Sequence, residues 1–170
     1  MFYEYDRMSA VEYATKWALS RNIRFTDYSE MGGDCTNFIS QCINAGKIPM
    51  DKVGNNIIEQ WYWYSDKERT PSWSGADFFY NYLTRNNKEN TSKFGVYARL
   101  AKYEELELGD IVQLIENNEA YHNMIITDII TENGQVIDYL VCQHTMDLLN
   151  YPLSLKIGEQ RYIKIIGYYK

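Results

Sequence analysis

Apolar residues in the first half of the chain recur at the spacing of α-helices. Ser9-Ala10-Val11-Glu12 has the form of a capping box, and the apolar positions after it predict a first helix that ends near Leu19. A second helix is predicted to begin after Asp34, whose carboxylate can accept from exposed backbone amides, and to end near Gly46. Its apolar stripe is Cys35, Phe38, Ile39, Cys42 and Ile43. Cys35 is therefore expected to face inward in the first turn.

The second half of the chain changes to the pattern of β-strands. β-branched runs predict strands at residues 111–115, 122–127, 136–142 and 161–166, and polar breaks at 116–118 and 132–134 suit hairpins. The segment between about residues 50 and 101 is less regular, with one helix predicted around 77–83. Helices followed by a meandering antiparallel sheet predict an α+β fold.

Composition and charge restrict the class of protein. With 170 residues, 45% hydrophobic and 24% charged, the chain matches one folded domain, expected to extend over residues 1–170. A net charge of −6 argues against nucleic acid as a partner, and the lack of a long apolar stretch argues against a membrane. As it stands, without a signal-peptide pattern, the chain is expected in the cytoplasm; excision from a longer precursor would place it outside the cell or in the envelope. The oligomeric state stays open.

Three cysteines cannot all pair within one chain, so at least one thiol is expected to stay free. The strong metal-binding patterns CxxC, HExxH and the EF-hand loop do not occur, and neither a metal nor a cofactor is expected. A zinc site from Cys35, His122, Cys142 and His144 remains an alternative, although no two of these residues have the short spacing typical of zinc ligands.

The two histidines lie at the ends of neighbouring predicted strands. His122 opens one strand and His144 closes the next, so an antiparallel hairpin would bring both imidazoles to the same end of the sheet. Cys35 on a helix packed against that sheet would complete an array of thiol, imidazole and a third polar group. The helix dipole and a nearby imidazolium would favour the thiolate. The alternative is that Cys35 is only a small core residue, which is the preferred interpretation of Cys42 and Cys142.

Aromatic residues make up 15% of the chain, which is more than a core of this size needs. Trp61, Trp63 and Trp73 could form a platform on which sugar rings or a peptide stem stack. Alternatively, the rings cover the sheet or lie under a loop. Neighbouring residues that alternate in direction cannot all face one groove.

Several motifs together resemble a known family. These are Gly32-Gly33-Asp34-Cys35-Thr36-Asn37-Phe38, Leu106-Glu107-Leu108-Gly109-Asp110, the block at His122, His144-Thr145-Met146-Asp147 and the closing Arg161-Tyr162-Ile163. In order and spacing the chain resembles the putative amidase domain of Gram-positive bacteria, a papain-like group. It is similar, more distantly, to NlpC-type and CHAP-type cell-wall hydrolases.

The resemblance implies roles for individual residues. Cys35 would be the nucleophile, His122 the general base, and His144 the residue that orients His122, with Asp147 as a rival or fourth member. Asp34 would cap the nucleophile's helix, and the backbone N–H of Cys35 would be one oxyanion donor.

The activity that the resemblance implies is that of a cysteine amidase or peptidase with a papain-like fold. It would act through a thioester on a peptide or peptidoglycan-like amide. Two alternatives stay open: a deamidase or acyl transferase acting on a protein or small-molecule amide, and a non-catalytic module that binds ligands in an aromatic groove.

Overall fold

The protein has a mixed α+β fold, as the sequence pattern predicts. The computed structural model describes residues 1–87 and 94–170. The helices are α1 (Arg7–Trp17), α2 (Cys35–Ala45), α3 (Pro71–Ser74) and α4 (Ala76–Thr84). The strands are β1 (Phe2–Glu4), β2 (Trp63–Ser65), β3 (Glu68–Arg69), β4 (Gly95–Leu100), β5 (Ile111–Glu116), β6 (Glu119–Glu132), β7 (Gln135–Gln143), β8 (Leu148–Pro152) and β9 (Glu159–Tyr169).

Helix α1 begins earlier than predicted, at Arg7. Its N-cap is Asp6, whose carboxylate accepts from the backbone N–H of Ser9 at 3.0 Å, so the predicted capping box at Ser9 is wrong. Asp6 also forms an ion pair with Lys47 Nζ at 2.6 Å, and these contacts lower its pKa to about 2. An ionised carboxylate at a helix N-terminus satisfies the free amides better than a hydroxyl does, and this explains the earlier start.

The main sheet is antiparallel, in the order β1-β9-β5-β6-β7-β8, with β4 also paired to β9. The four predicted strands correspond to β5, β6, β7 and β9 and extend beyond the predicted bounds. Both predicted hairpins are confirmed. Asn117 and Asn118 join β5 to β6, Asn133 and Gly134 join β6 to β7, and all four have positive φ, as tight hairpin turns require.

Apolar side chains cover both faces of this sheet. On one face, α1 and α2 pack closely because the buried side chains of α1 are small ones, Ala10, Val11 and Ala14. The other face carries a second buried cluster built on Val112, Leu114, Met124, Ile126, Tyr139 and Val141. The two faces therefore have separate cores. No helix within the described ranges is long and apolar enough to cross a membrane.

Candidate active site

Cys35 is the first residue of α2 and follows a sharp turn. Gly32 and Gly33 have φ of +100° and +114°, a conformation that side-chain-bearing residues rarely adopt. Cys42 and Cys142 are fully buried, whereas the Cys35 side chain is half-buried. Of the three cysteines, Cys35 is therefore the one that is partly exposed to solvent.

The Cys35 thiol lies at the open edge of β6. Pairing between β6 and β7 begins at Ile125 and Cys142, so the backbone of Asn123 extends beyond that ladder. The Asn123 N–H hydrogen-bonds the thiol of Cys35, and the Asn123 side chain donates to Thr36 Oγ1 at 2.9 Å. These contacts join the start of α2 to the residue that follows His122, as the sequence-based placement of Cys35 against this strand requires.

The resting thiol is not activated in the way the sequence suggests. Burial raises the pKa of Cys35, and the negative charge of Asp34 acts in the same direction. Hydrogen bonds from Asn123 and Thr36 oppose this rise. The expectation of a thiolate favoured by the helix dipole is therefore wrong for the free protein, because burial outweighs the donors at the helix start.

His122 is 8% exposed, and its orientation is set by Gln143, the last residue of β7. His122 Nε2 lies 2.9 Å from Gln143 Oε1. The Gln143 amide nitrogen donates to the carbonyls of Thr145 and Met146 at 2.8 and 3.0 Å, which fixes Oε1 toward the imidazole. An amide oxygen only accepts, so Nε2 carries the proton, and Nδ1 is the basic nitrogen of the neutral ring.

The surroundings of His122 favour its neutral form. Burial lowers its pKa, the Gln143 hydrogen bond raises it, and the positive charge of Lys156 lowers it. The net shift is downward, which keeps the imidazole available as a base at neutral pH.

His144 is buried on the other face of the sheet, 1% exposed. Its Nδ1 lies 2.5 Å from Asp34 Oδ2 and its Nε2 lies 2.8 Å from the carbonyl of Trp17, while its ring stacks on Phe38 with centroids 3.9 Å apart. Both ring nitrogens are thus engaged beside α1 and α2. Gln143, and not His144, makes the hydrogen bond to His122.

The pleat of the sheet explains why Gln143, and not His144, contacts His122. Ile126 pairs with Val141, and side chains alternate along each strand, so His122 shares a face with Gln143 while His144 falls on the face that carries α2. Sequence reasoning missed Gln143 because it considered only residue types common in triads. Counting by twos along the hairpin would have found it.

Asp34 and Asp147 support His144 and the turn before Cys35. The buried Asp34 carboxylate accepts from the Tyr28 backbone N–H at 2.9 Å and from the Asn37 side chain at 2.8 Å, so it fixes this turn and is not used as a helix cap. Asp147 forms a two-pronged ion pair with Arg21, at 2.8 and 3.0 Å. Both acidic residues therefore belong to the network around His144.

The expected aromatic platform is absent from the described surface, because Trp61, Trp63 and Trp73 all lie in the core. Each indole N–H has a buried acceptor: Ser40 Oγ at 3.0 Å, Tyr28 OH at 2.9 Å and Asn37 Oδ1 at 2.9 Å, respectively. Burial with satisfied N–H groups makes these rings structural.

In the part of the chain that the structure describes, no group of three or more His, Cys, Asp or Glu side chains is arranged to hold a metal ion.

The chain is similar in sequence to known proteins. The model of the putative amidase domain family matches residues 4–168. The uncharacterized protein YhbB of Bacillus subtilis (strain 168) is 36% identical over 111 residues, which are 65% of this chain and 32% of YhbB. The uncharacterized protein YjcM of the same strain is 28% identical over 177 residues, covering 95% of this chain and 37% of YjcM. The chain thus spans about a third of the length of these relatives, and no solved structure gives a significant match. By its sequence from residue 4 to residue 168, the chain belongs to the putative amidase domain family.

Proposed function

We propose that this chain is a cysteine-dependent amide hydrolase with Cys35 as nucleophile, His122 as general base and Gln143 as the residue that orients the base. The observation that carries the proposal is the His122–Gln143 hydrogen bond, made by the residue just before Asn123, whose backbone N–H contacts the Cys35 thiol. It assigns the ring proton to Nε2 and leaves Nδ1 free to accept the proton of Cys35. Family membership supports amide hydrolysis as the reaction type.

The reaction begins from a neutral thiol and a neutral imidazole. His122 Nδ1 accepts the thiol proton while the sulfur attacks the carbonyl carbon of the amide. The C–N bond then breaks, the proton passes from His122 to the leaving amine, and the acyl group stays on Cys35 as a thioester. Water, losing a proton to His122, attacks the thioester, the carboxylic acid leaves, and the sulfur regains its proton.

The N-terminus of α2 supplies the stabilising charge for the tetrahedral intermediate. The first backbone N–H groups of a helix have no partner within the helix, and their partial positive charge favours an anion. Cys35 is at this position, so its own N–H is the natural first donor to the oxyanion.

The same arrangement supports a papain-like architecture over residues 1–170, in which a helix that begins with the nucleophile packs against an antiparallel sheet that carries the base. We extend the proposal to peptide amides, including those of peptidoglycan, as the substrate class. A deamidase or acyl transferase would form the same thioester and differ only in the amide cleaved or in the acceptor. The alternative of a binding module with an aromatic groove loses its support, because the three tryptophans are buried.

Two measurements test the mechanism. Alkylation of the folded protein with iodoacetamide, read peptide by peptide, should modify Cys35 while the buried Cys42 and Cys142 stay protected as internal controls. Hydrolysis of a panel of N-acyl peptide amides should then disappear in Cys35→Ala and persist in Cys42→Ala, which removes a thiol from the same helix. Hydrolysis that survives Cys35→Ala would overturn the proposal.

A further inference from the structure

Lys156 is an unusual cation beside the proposed catalytic pair. Its Nζ donates to Gln143 Oε1 at 2.8 Å, the same oxygen that accepts from His122. The other half-buried lysine in the described ranges, Lys164, lies beside the carboxylates of Glu107 and Asp110. In the same ranges, Lys156 has no ion pair with a carboxylate, and burial alone lowers its pKa. A partly desolvated ammonium with one neutral acceptor has hydrogen-bonding capacity left for an anion.

Around Lys156, the apolar side chains are exposed to solvent and the charged side chain is partly buried. Leu155 and Ile157 are 59% and 91% exposed, while the charged residue between them turns inward. Met146, whose carbonyl accepts from the Gln143 amide, is 84% exposed. Large apolar side chains held in solvent around an inward-facing charge are typical of a surface that contacts a ligand.

The mechanism decides which part of a substrate Lys156 would meet. The leaving amine must receive its proton from His122, so it lies on the imidazole side of the sulfur. Lys156 and His122 share one acceptor oxygen, which places the ammonium on that same side. A negative group carried by the amine component would therefore face Lys156, whereas one on the acyl component would lie farther away.

We infer that Lys156 binds a carboxylate on the leaving-group side, so that the site prefers amides whose amine component is an amino acid or short peptide with a free carboxylate. This inference rests on the proposed function, because it takes the leaving side from the roles of Cys35 and His122. Two of the three ammonium N–H groups remain for the substrate when one donates to Gln143. The exposed Leu155 and Ile157 would contact apolar parts of the same fragment.

A pair of alkylating reagents tests the charge without any substrate. Iodoacetate and iodoacetamide react with the thiolate alike, forming an S–C bond with loss of iodide, but only iodoacetate carries a carboxylate. Lys156→Met should lower the iodoacetate-to-iodoacetamide rate ratio at Cys35 by about three- to tenfold, as expected for charges across a partly hydrated gap. Any change in thiol ionisation affects both reagents and cancels in the ratio, and measurement at a pH well above 6.5 keeps the His122 imidazole neutral in both proteins.

Lys52→Met is the matched control, since Lys52 is exposed and paired with Glu68. An unchanged ratio in Lys156→Met, or an equal fall in Lys52→Met, would overturn the inference. Unfolding of a variant would be visible in the same digest as alkylation of Cys42 and Cys142.

A substrate comparison separates this inference from the proposed function. An N-acyl dipeptide with a free carboxylate should be cleaved with a lower KM than its carboxamide, and Lys156→Met should remove the difference. Cys35-dependent hydrolysis without such a preference would refute the role of Lys156 alone. Hydrolysis that does not depend on Cys35 would refute the proposed function, while the alkylation ratio would still report whether Lys156 attracts a carboxylate.

Discussion

Gln143 Oε1 lies 2.9 Å from His122 Nε2. The Gln143 amide group is held in this orientation because its nitrogen donates hydrogen bonds to two backbone carbonyls. The contact sets both the orientation and the tautomer of the imidazole. A neighbouring residue, His144, has two ring nitrogens engaged on the opposite face. Gln143 therefore orients the His122 imidazole, and His144 holds the turn before Cys35.

Replacing Gln143 by Ala should lower kcat/KM by about tenfold or more, because the loss of an orienting hydrogen bond of roughly 1.4 kcal/mol corresponds to a factor of ten. The measurement is steady-state kinetics on the best amide of the panel. Gln135→Ala, at the exposed start of the same strand, is the control and should match the wild type. Wild-type kinetics in Gln143→Ala would refute the orienting role.

Replacing His144 by Ala should destabilise the fold by about 3–5 kcal/mol, because it removes a buried ring that stacks on Phe38 and takes away the nearest hydrogen-bond partner of Asp34 Oδ2. Urea unfolding measures the change. The loss of unfolding free energy should be larger than in Gln143→Ala. The opposite order would show that His144 is not a structural anchor of this turn.

The pH dependence of kcat/KM should follow the protonation state of His122. His122 must be neutral to accept the thiol proton, and its pKa is lowered from 6.5, so kcat/KM should fall on the acid side with a midpoint below pH 6.5. Lys156→Met removes a positive charge that lowers this pKa, so the midpoint should move to higher pH. Lys52→Met should leave it in place. A midpoint that moves to lower pH in Lys156→Met would contradict the assignment.

The thiol should titrate on the other side of neutrality. Burial raises the pKa of Cys35 above 9.0, so its alkylation by iodoacetamide, which needs the thiolate, should still be accelerating at pH 9. A rate that levels off near pH 6 would instead indicate a preformed thiolate and imidazolium. The pH profile of Cys35 alkylation distinguishes the two resting states.

Replacing Trp73 by Phe should destabilise the fold by roughly 1–3 kcal/mol, because Asn37 Oδ1 loses its donor in a buried site. Trp61→Phe should cost less, since Ser40 Oγ keeps its hydrogen bond to the carbonyl of Trp73. Chemical denaturation compares the two variants. If Trp73→Phe instead kept full stability and raised KM, the result would support the substrate-stacking platform that the sequence suggested.

Several features follow from residues that are close in the chain. The spacing of apolar positions determines helix α2, which begins at Cys35 and is followed by Gly46. Asn and Gly at residues 117–118 and 133–134 determine the hairpins, because they adopt positive φ at low cost. Helix propensity and turn chemistry depend on neighbouring residues, so the sequence alone was sufficient for these elements.

Tertiary structure decided which residues work together. The register of β6 against β7 puts Gln143 on the face of His122 and His144 on the face of α2, and a shift of one residue would have reversed them. Packing buried the tryptophans, and the fold brought Lys156 from a distant segment to Gln143. Strand pairing and packing join residues far apart in the chain, so local patterns could predict that a site exists but not which polar side chains complete it.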